Sequence, residues 1–165
     1  MRFIAIDPGW SGAMAVYKNN ELIRTHKCMP TSTETWELVR EDIMKSNIAI
    51  LEWVHSFPGQ GVVSTFKFGY NYGMWNGFLA AASKETMLVS PQMWQKNWDN
   101  VPKVKKDRKN FLKAEAQKVA NGVKVTLVNA DAICIGQWYI NKRSEVGSVL
   151  LSTQGDGKWT TKVRS

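Results

Sequence analysis

The stretch that decides the fold is RFIAIDPGWSGAMAVY, residues 2–17. Arg2 to Asp7 reads as a strand buried on both faces, because Phe3, Ile4, Ala5 and Ile6 run without a polar break. Pro8-Gly9 ends it. Ala13 to Tyr17 is a second strand, and Asn19-Asn20 is a hairpin turn into a third over Leu22 to Met29. Asp7 stands where the first apolar run meets its turn. Two more acids stand in the same kind of place: Glu52 near the end of IAILEW and Asp131 in NADAICIG at a helix start.

An isolated carboxylate among Ile and Ala is costly to bury, so each of the three needs a compensating partner. Gathering all three around divalent metal compensates them at once. Mg²⁺ or Mn²⁺ takes oxygen ligands, and a phosphate substrate completes the shell. The pattern therefore predicts a metal-dependent enzyme that cuts phosphodiesters. The competing reading is three unrelated carboxylates that serve a strand-end turn, an ion pair and a helix cap.

Further along, Thr33 to Lys45 reads as a helix with Thr33 as its cap, and Ile48 to Trp53 as an unbroken apolar strand in the middle of the sheet. A Pro-Gly-Gln-Gly loop leads into a long helix from Val63 to Ser83. Met87 to Val89 is a further strand, Ser90-Pro91 opens a short helix, and Asn97 to Lys106 is a basic loop. Asp107 to Ala120 is a helix with Phe111, Leu112, Ala116, Val119 and Ala120 as its core stripe, and Asn129 to Asn141 is the last helix. This order predicts a mixed α/β layer fold with one antiparallel hairpin at an edge. Residues 1–141 form one domain, and the Ser/Gly/Lys-rich residues 142–165 are expected to be a basic, loosely packed tail.

The 165 residues, 44% hydrophobic with eight Trp, exclude a disordered chain and suit one domain. A net charge of +8 with a pI near 9.6 points to a polyanionic partner. Aromatics interleaved with the basic segments favour nucleic acid over a membrane surface. Cys28 and Cys134 are far apart and read as reduced core thiols. With no CxxC, no signal-like start and no long apolar run, a soluble intracellular protein is expected.

Asp7-Pro8-Gly9, Glu52, the helix start Ser64-Thr65-Phe66-Lys67-Phe68-Gly69 with Gly73, and Ala130-Asp131-Ala132 occur in that order. In this conjunction residues 1–141 resemble the RuvC-type Holliday junction resolvases of the RNase H-like superfamily. FPGQGVVSTFKFGYNYGMWNGFLAA followed by VSPQMWQKNW is more similar to the compact phage-borne branch than to the bacterial housekeeping enzymes. The resemblance implies an RNase H-like mixed β-sheet with helices on both faces. It also implies a homodimer that cuts four-way DNA junctions by two symmetric incisions, in the host cytoplasm if phage-encoded. Asp7, Glu52 and Asp131 would be the ligands of Mg²⁺ (or Mn²⁺), two ions per site. Strand–Asp–Pro/Gly hairpins also open actin-like ATPases, but a second domain and phosphate loop do not fit in 165 residues, so no nucleotide cofactor is expected.

Lys103, Lys105, Lys106, Arg108 and Lys109 match the basic stretch of that family, with Lys105 or Lys106 as the stabiliser of transition-state charge; Lys106 is the nominee. The alternative for the cluster is a solvated charged face. Lys67 and the loop around Phe57 flank Glu52; Phe57 either stacks on an unpaired base or packs inside the protein. Gly69, Tyr70, Gly73, Met74 and Gly77 suit a close helix–helix contact, as in the family's dimer interface. One departure stands out: the family's fourth acidic position is Val128 here, with Asn129 beside it as a helix cap or a carbonyl ligand. That leaves open a catalytically weak or silent junction-binding protein.

Overall fold

The structure, a computed structural model, describes residues 1–55 and 59–153, with side chains through residue 145. The elements are β1 (Arg2–Asp7), β2 (Ala13–Lys18), β3 (Glu21–Lys27), α1 (Ser32–Lys45), β4 (Ile48–Glu52), α2 (Val62–Ala81), β5 (Glu85–Val89), α3 (Pro91–Gln95), α4 (Lys105–Lys118) and α5 (Ala130–Thr153). The strands form one sheet in the order β3-β2-β1-β4-β5. β1 pairs antiparallel with β2 and parallel with β4, which is parallel to β5. The hairpin turn follows from Asn19 and Asn20, both at positive φ (53° and 68°), the backbone a two-residue hairpin loop requires. β3 lies at the sheet edge, as expected, and β1 and β4 are adjacent inside it.

Alternation along the inner strands divides the core in two. Phe3, Ala5, Ala15, Tyr17 and Ile50 face α3, α4 and α5. Ile4, Ile6, Met14, Val16, Ala49 and Leu51 face α1 and α2, where Val39, Ile43, Trp75 and Leu79 close over them. Helices on both sides explain why β1 and β4 read as unbroken apolar runs. The seating of α5 is tight. A Cβ on Gly136 would lie 2.2 Å from the Tyr17 ring, so only glycine lets this helix approach β2. The Tyr17 hydroxyl then donates to the Ile133 carbonyl (2.8 Å), and its ring stacks on Phe3 at 4.7 Å.

Of the boundaries that differ from expectation, three change the reading of the helices. The cap of α1 is Thr31, because Glu34 lies three residues on and closes a reciprocal capping box; Thr33 is inside the helix. α4 starts at Lys105, two residues early, which brings Lys105 and Lys106 into its first turn. α5 continues past Asn141 to Thr153. Residues 142–153 contain no proline, and the Lys142–Glu145 pair (2.8 Å) lies on the helical i, i+3 spacing. The rest of the tail, 154–165, lies outside the described residues. None of the described helices is long and apolar enough to cross a membrane.

One ion cluster holds α1 to the sheet. Buried Asp42 accepts from Arg24 Nε (2.8 Å) and Nη2 (2.6 Å), pairs with His26 Nε2 at 2.7 Å, and contacts Arg2 Nη2. Burial alone would raise this carboxyl, but the hydrogen bonds from Arg24 and His26 outweigh it and hold it at about 2. A depressed carboxylate stabilises the fold above its unfolded pKa and loses that contribution as pH falls through the folded value. Asp42→Asn is therefore expected to destabilise the protein by about 3 kcal/mol at pH 7, read by urea unfolding. The gap between variant and parent should close as pH drops from about 4 to 2. A constant gap over that range would mean the loss is one of packing.

Candidate active site

Asp7 and Glu52 reach the same sheet edge by register. β1 and β4 run parallel with Ile6 opposite Leu51, so the two acids follow at adjacent strand ends. Each is then fixed by a neutral donor. Asp7 Oδ1 accepts from the Gly9 N–H (2.9 Å), and Glu52 Oε1 accepts from the Trp94 indole N–H (2.7 Å). The turn after Asp7 is closed by Gly12 N–H donating to Gly9 O (2.8 Å). A Cβ on Gly12 would lie 2.1 Å from the Asp7 carbonyl oxygen, so this glycine is sterically required. From the far side, buried Asn71 of α2 donates to Gly9 O at 2.7 Å and ties the turn down.

Asp131 is in the first turn of α5, so the Gly136–Tyr17 contact that seats the helix also sets the acid. Its Oδ1 is buried without a hydrogen-bond partner. The electrostatics tie the three acids together. Burial first, then the charge of Asp131, push Asp7 up to about 6, against the Gly9 N–H and Lys109. Burial and then Asp7 push Glu52 up to about 8; the Trp94 bond opposes and Asp131 adds. Burial raises Asp131 as well, while Lys109 and Arg108 pull it down. Ion-pair or strand-turn roles would leave three unrelated environments; here each acid feels another acid or the same cations.

Among the described residues, no three His, Cys, Asp or Glu side chains already form a closed cation cage. The donor set nevertheless suits a hard cation. It offers carboxylate oxygens only, one of them buried without a partner, and burial raises all three carboxyls, a cost that a bound cation would offset.

The basic residues divide. Arg108 and Lys109, half-buried in the first turn of α4, are the cations whose charge reaches the acids. Lys103, Lys105 and Lys106 are exposed outside them. Four cations near a helix N-terminus oppose its dipole, an arrangement that an anion on that turn would relieve. Lys67 stands at the rim, its ammonium 5.5 Å from the centroid of the exposed Trp10 ring beside Asp7. Phe57 lies outside the described residues.

On α2, Gly69, Tyr70, Gly73 and Gly77 are exposed, whereas Met74 packs in part against the protein's own core. Asn129 does not cap α5 with its side chain. Its Oδ1 accepts from Thr126 N–H (2.7 Å) and its amide donates to Thr25 and Lys124, so it braces the preceding turn. Trp94 is the residue that sequence reasoning missed at this site. Its only signal was an aromatic five residues after a strand parallel to the one carrying Glu52.

No protein-family model and no curated protein matches the chain. Its fold does match solved structures. Thermus thermophilus RuvC in complex with a Holliday junction substrate aligns at 12% identity with a TM-score of 0.60, covering 88% of this chain and 96% of the other. Another Thermus thermophilus RuvC structure aligns at 13% identity with a TM-score of 0.55, covering 88% and 97%. The chain thus has the fold of RuvC, and the RNase H-like mixed sheet expected from the sequence is the one observed.

Proposed function

We propose that this chain is a structure-selective DNA endonuclease that resolves four-way or otherwise branched junctions by metal-dependent phosphodiester hydrolysis. The observation that carries the reading is the convergence of Asp7, Glu52 and Asp131 at one sheet edge of a RuvC fold, beside a cationic helix start. The similarity to a protein solved on a Holliday junction supports the substrate class.

Asp7, Glu52 and Asp131 are the residues that would hold Mg²⁺ or Mn²⁺, two ions per site. When bound, such ions activate water and neutralise charge on the leaving oxygen. The protein's own groups do the rest. A Cβ on Gly9 would lie 3.2 Å from Asp7 Oδ1, so glycine there leaves this carboxylate uncovered, and a phosphate backbone can approach. Lys109 and Arg108 face the acids and can balance charge that builds on the phosphate oxygens, with exposed Lys106 outside them. Lys67, Lys103 and Lys105 are exposed around the site, where they would grip the flanking backbone. Two copies joined through α2 would supply the paired incisions.

The test is a labelled four-way junction incubated with Mg²⁺ or Mn²⁺. The expected result is a pair of symmetric nicks that EDTA suppresses. Tight binding without cutting favours the second reading, a silent junction-binding protein. Val128 at the position of the family's fourth acid is what supports that alternative.

DNA grip carries its own prediction. Changing Lys105 and Lys106 together to Ala should weaken binding and flatten its log–log salt dependence by roughly one unit per lost phosphate contact. An unchanged slope would put both lysines in solvent rather than on DNA.

A further inference from the structure

Glu52 is held from two directions by one supersecondary unit. β5 pairs its backbone, with Glu52 opposite Val89 and the Trp53 N–H donating to Val89 O at 2.8 Å. The chain then turns at Ser90, which caps α3 through Met93 N–H (3.3 Å), and Pro91 starts the helix. That places Trp94, 1% exposed, under the sheet edge with its Nε1 2.7 Å from Glu52 Oε1. Trp98 packs edge-on against it at 6.3 Å and fixes the ring. A buried indole needs an acceptor for its N–H. Here the acceptor is a site carboxylate, and among the described residues the indole is the donor that the carboxylate has.

Resting on the nuclease reading above, we propose that Trp94 is a positioning residue that clamps Oε1 of Glu52 and leaves Oε2 as the oxygen offered to the site. The chemistry of the donor matters. A lysine or arginine in this place would neutralise Glu52 and compete with a cation. An indole N–H orients the carboxylate, adds no charge and does not titrate. Asp7 is served in the same way by the Gly9 backbone N–H, so both strand-end acids are oriented by neutral donors. Donors behind carboxylate ligands characteristically change metal affinity or activity about 10–100-fold when removed.

The experiment compares the wild type with Trp94→Phe and with a chain carrying 3-benzothienylalanine at position 94, which keeps the indole shape and lacks the N–H. In ¹⁵N-labelled protein, the indole signal absent from Trp94→Phe identifies Trp94. That signal should move in Glu52→Ala, and in the wild type on adding Mg²⁺. Both substituted proteins should bind Mg²⁺ about tenfold more weakly by calorimetry. On a four-way junction their kcat should fall about 10–100-fold with KM unchanged. Should Trp94→Phe unfold, the benzothienyl chain carries the comparison alone. A Trp94 signal indifferent to Glu52→Ala, or an isosteric chain with parental Mg²⁺ affinity and kcat, overturns the proposal. A wild type that never cuts junctions defeats the nuclease reading instead, and the indole signal and calorimetry then decide the role of Trp94.

Discussion

Asp7→Asn, Glu52→Gln and Asp131→Asn should each abolish strand cutting, on the order of a thousandfold or more, and should each leave a protein that binds junction DNA. The basic residues supply the affinity, so removing an acid does not weaken it. The same substitutions should also stabilise the metal-free protein at pH 8. Asp7 and Glu52 are raised in the fold, from 3.8 to about 6 and from 4.5 to about 8. A raised carboxyl means the folded state holds its proton more tightly than the unfolded state, so folding is favoured at low pH and loses stability as pH rises. The loss begins near the unfolded values, at about pH 4, and is complete only above the folded values, at about pH 8. For Asp7 alone the penalty is on the order of 3 kcal/mol at pH 8. Thermal unfolding in EDTA should therefore show a parent that weakens from pH 5 to 8 and an Asp7→Asn variant that weakens less. Mg²⁺ should restore the parent and do little for the variant, since only the native site binds the cation. A variant that melts below its parent at pH 8 in EDTA would mean that the acids are not mutually strained, and that the site is structural.

Much of this arrangement is legible in the chain because it is local. The apolar run Phe3–Ile6, the Pro8-Gly9 stop and the Asn19-Asn20 turn each carry their conformation in their own residues. The convergence of Asp7 with Glu52 needed one more step, that two doubly buried strands in a layered α/β chain lie side by side. What escaped is long-range or depends on side-chain direction. Trp94 reaches Glu52 only because β5 pairs in parallel with β4 and α3 turns back under the sheet edge. Arg2, Arg24 and His26 converge on Asp42 across 16 to 40 residues of sequence. Lys109 rather than Lys106 reaches the acids because it stands three and seven residues before buried Leu112 and Ala116, on the face of α4 that meets the core. At the start of α1 two threonines offer the same hydroxyl, and only the Glu34 spacing singles out Thr31 as the cap.

Gly73→Arg should give a folded monomer that has lost paired cutting. Gly69, Gly73 and Gly77 recur at one-turn spacing along α2, and a Cβ built on any of them meets nothing within 4 Å. Among the described residues, therefore, nothing requires glycine at those positions. Each costs the helix about 1 kcal/mol relative to alanine, a sacrifice that makes physical sense where a second backbone must come close. The same helix exposes Val62, Val63, Phe66 and Tyr70, apolar surface that a partner would cover. A four-way junction has near two-fold symmetry, and a C2 dimer built on one self-complementary patch presents two sites to opposite strands. An arginine at position 73 meets open space in the monomer and is a better helix former than glycine, so it should not lower the melting temperature of a dilute sample. Across a two-fold contact it sets two like charges and two long side chains face to face. Light scattering at micromolar concentration should then report a dimer for the parent and a monomer for the variant. On a supercoiled cruciform plasmid the parent should yield linear product, from two cuts within one encounter, and the variant nicked circles. Linear product from Gly73→Arg would move the interface off this stripe. A parent that is monomeric both free and on DNA would remove the paired-incision mechanism, and a single-cut branched-DNA nuclease would then describe the protein better.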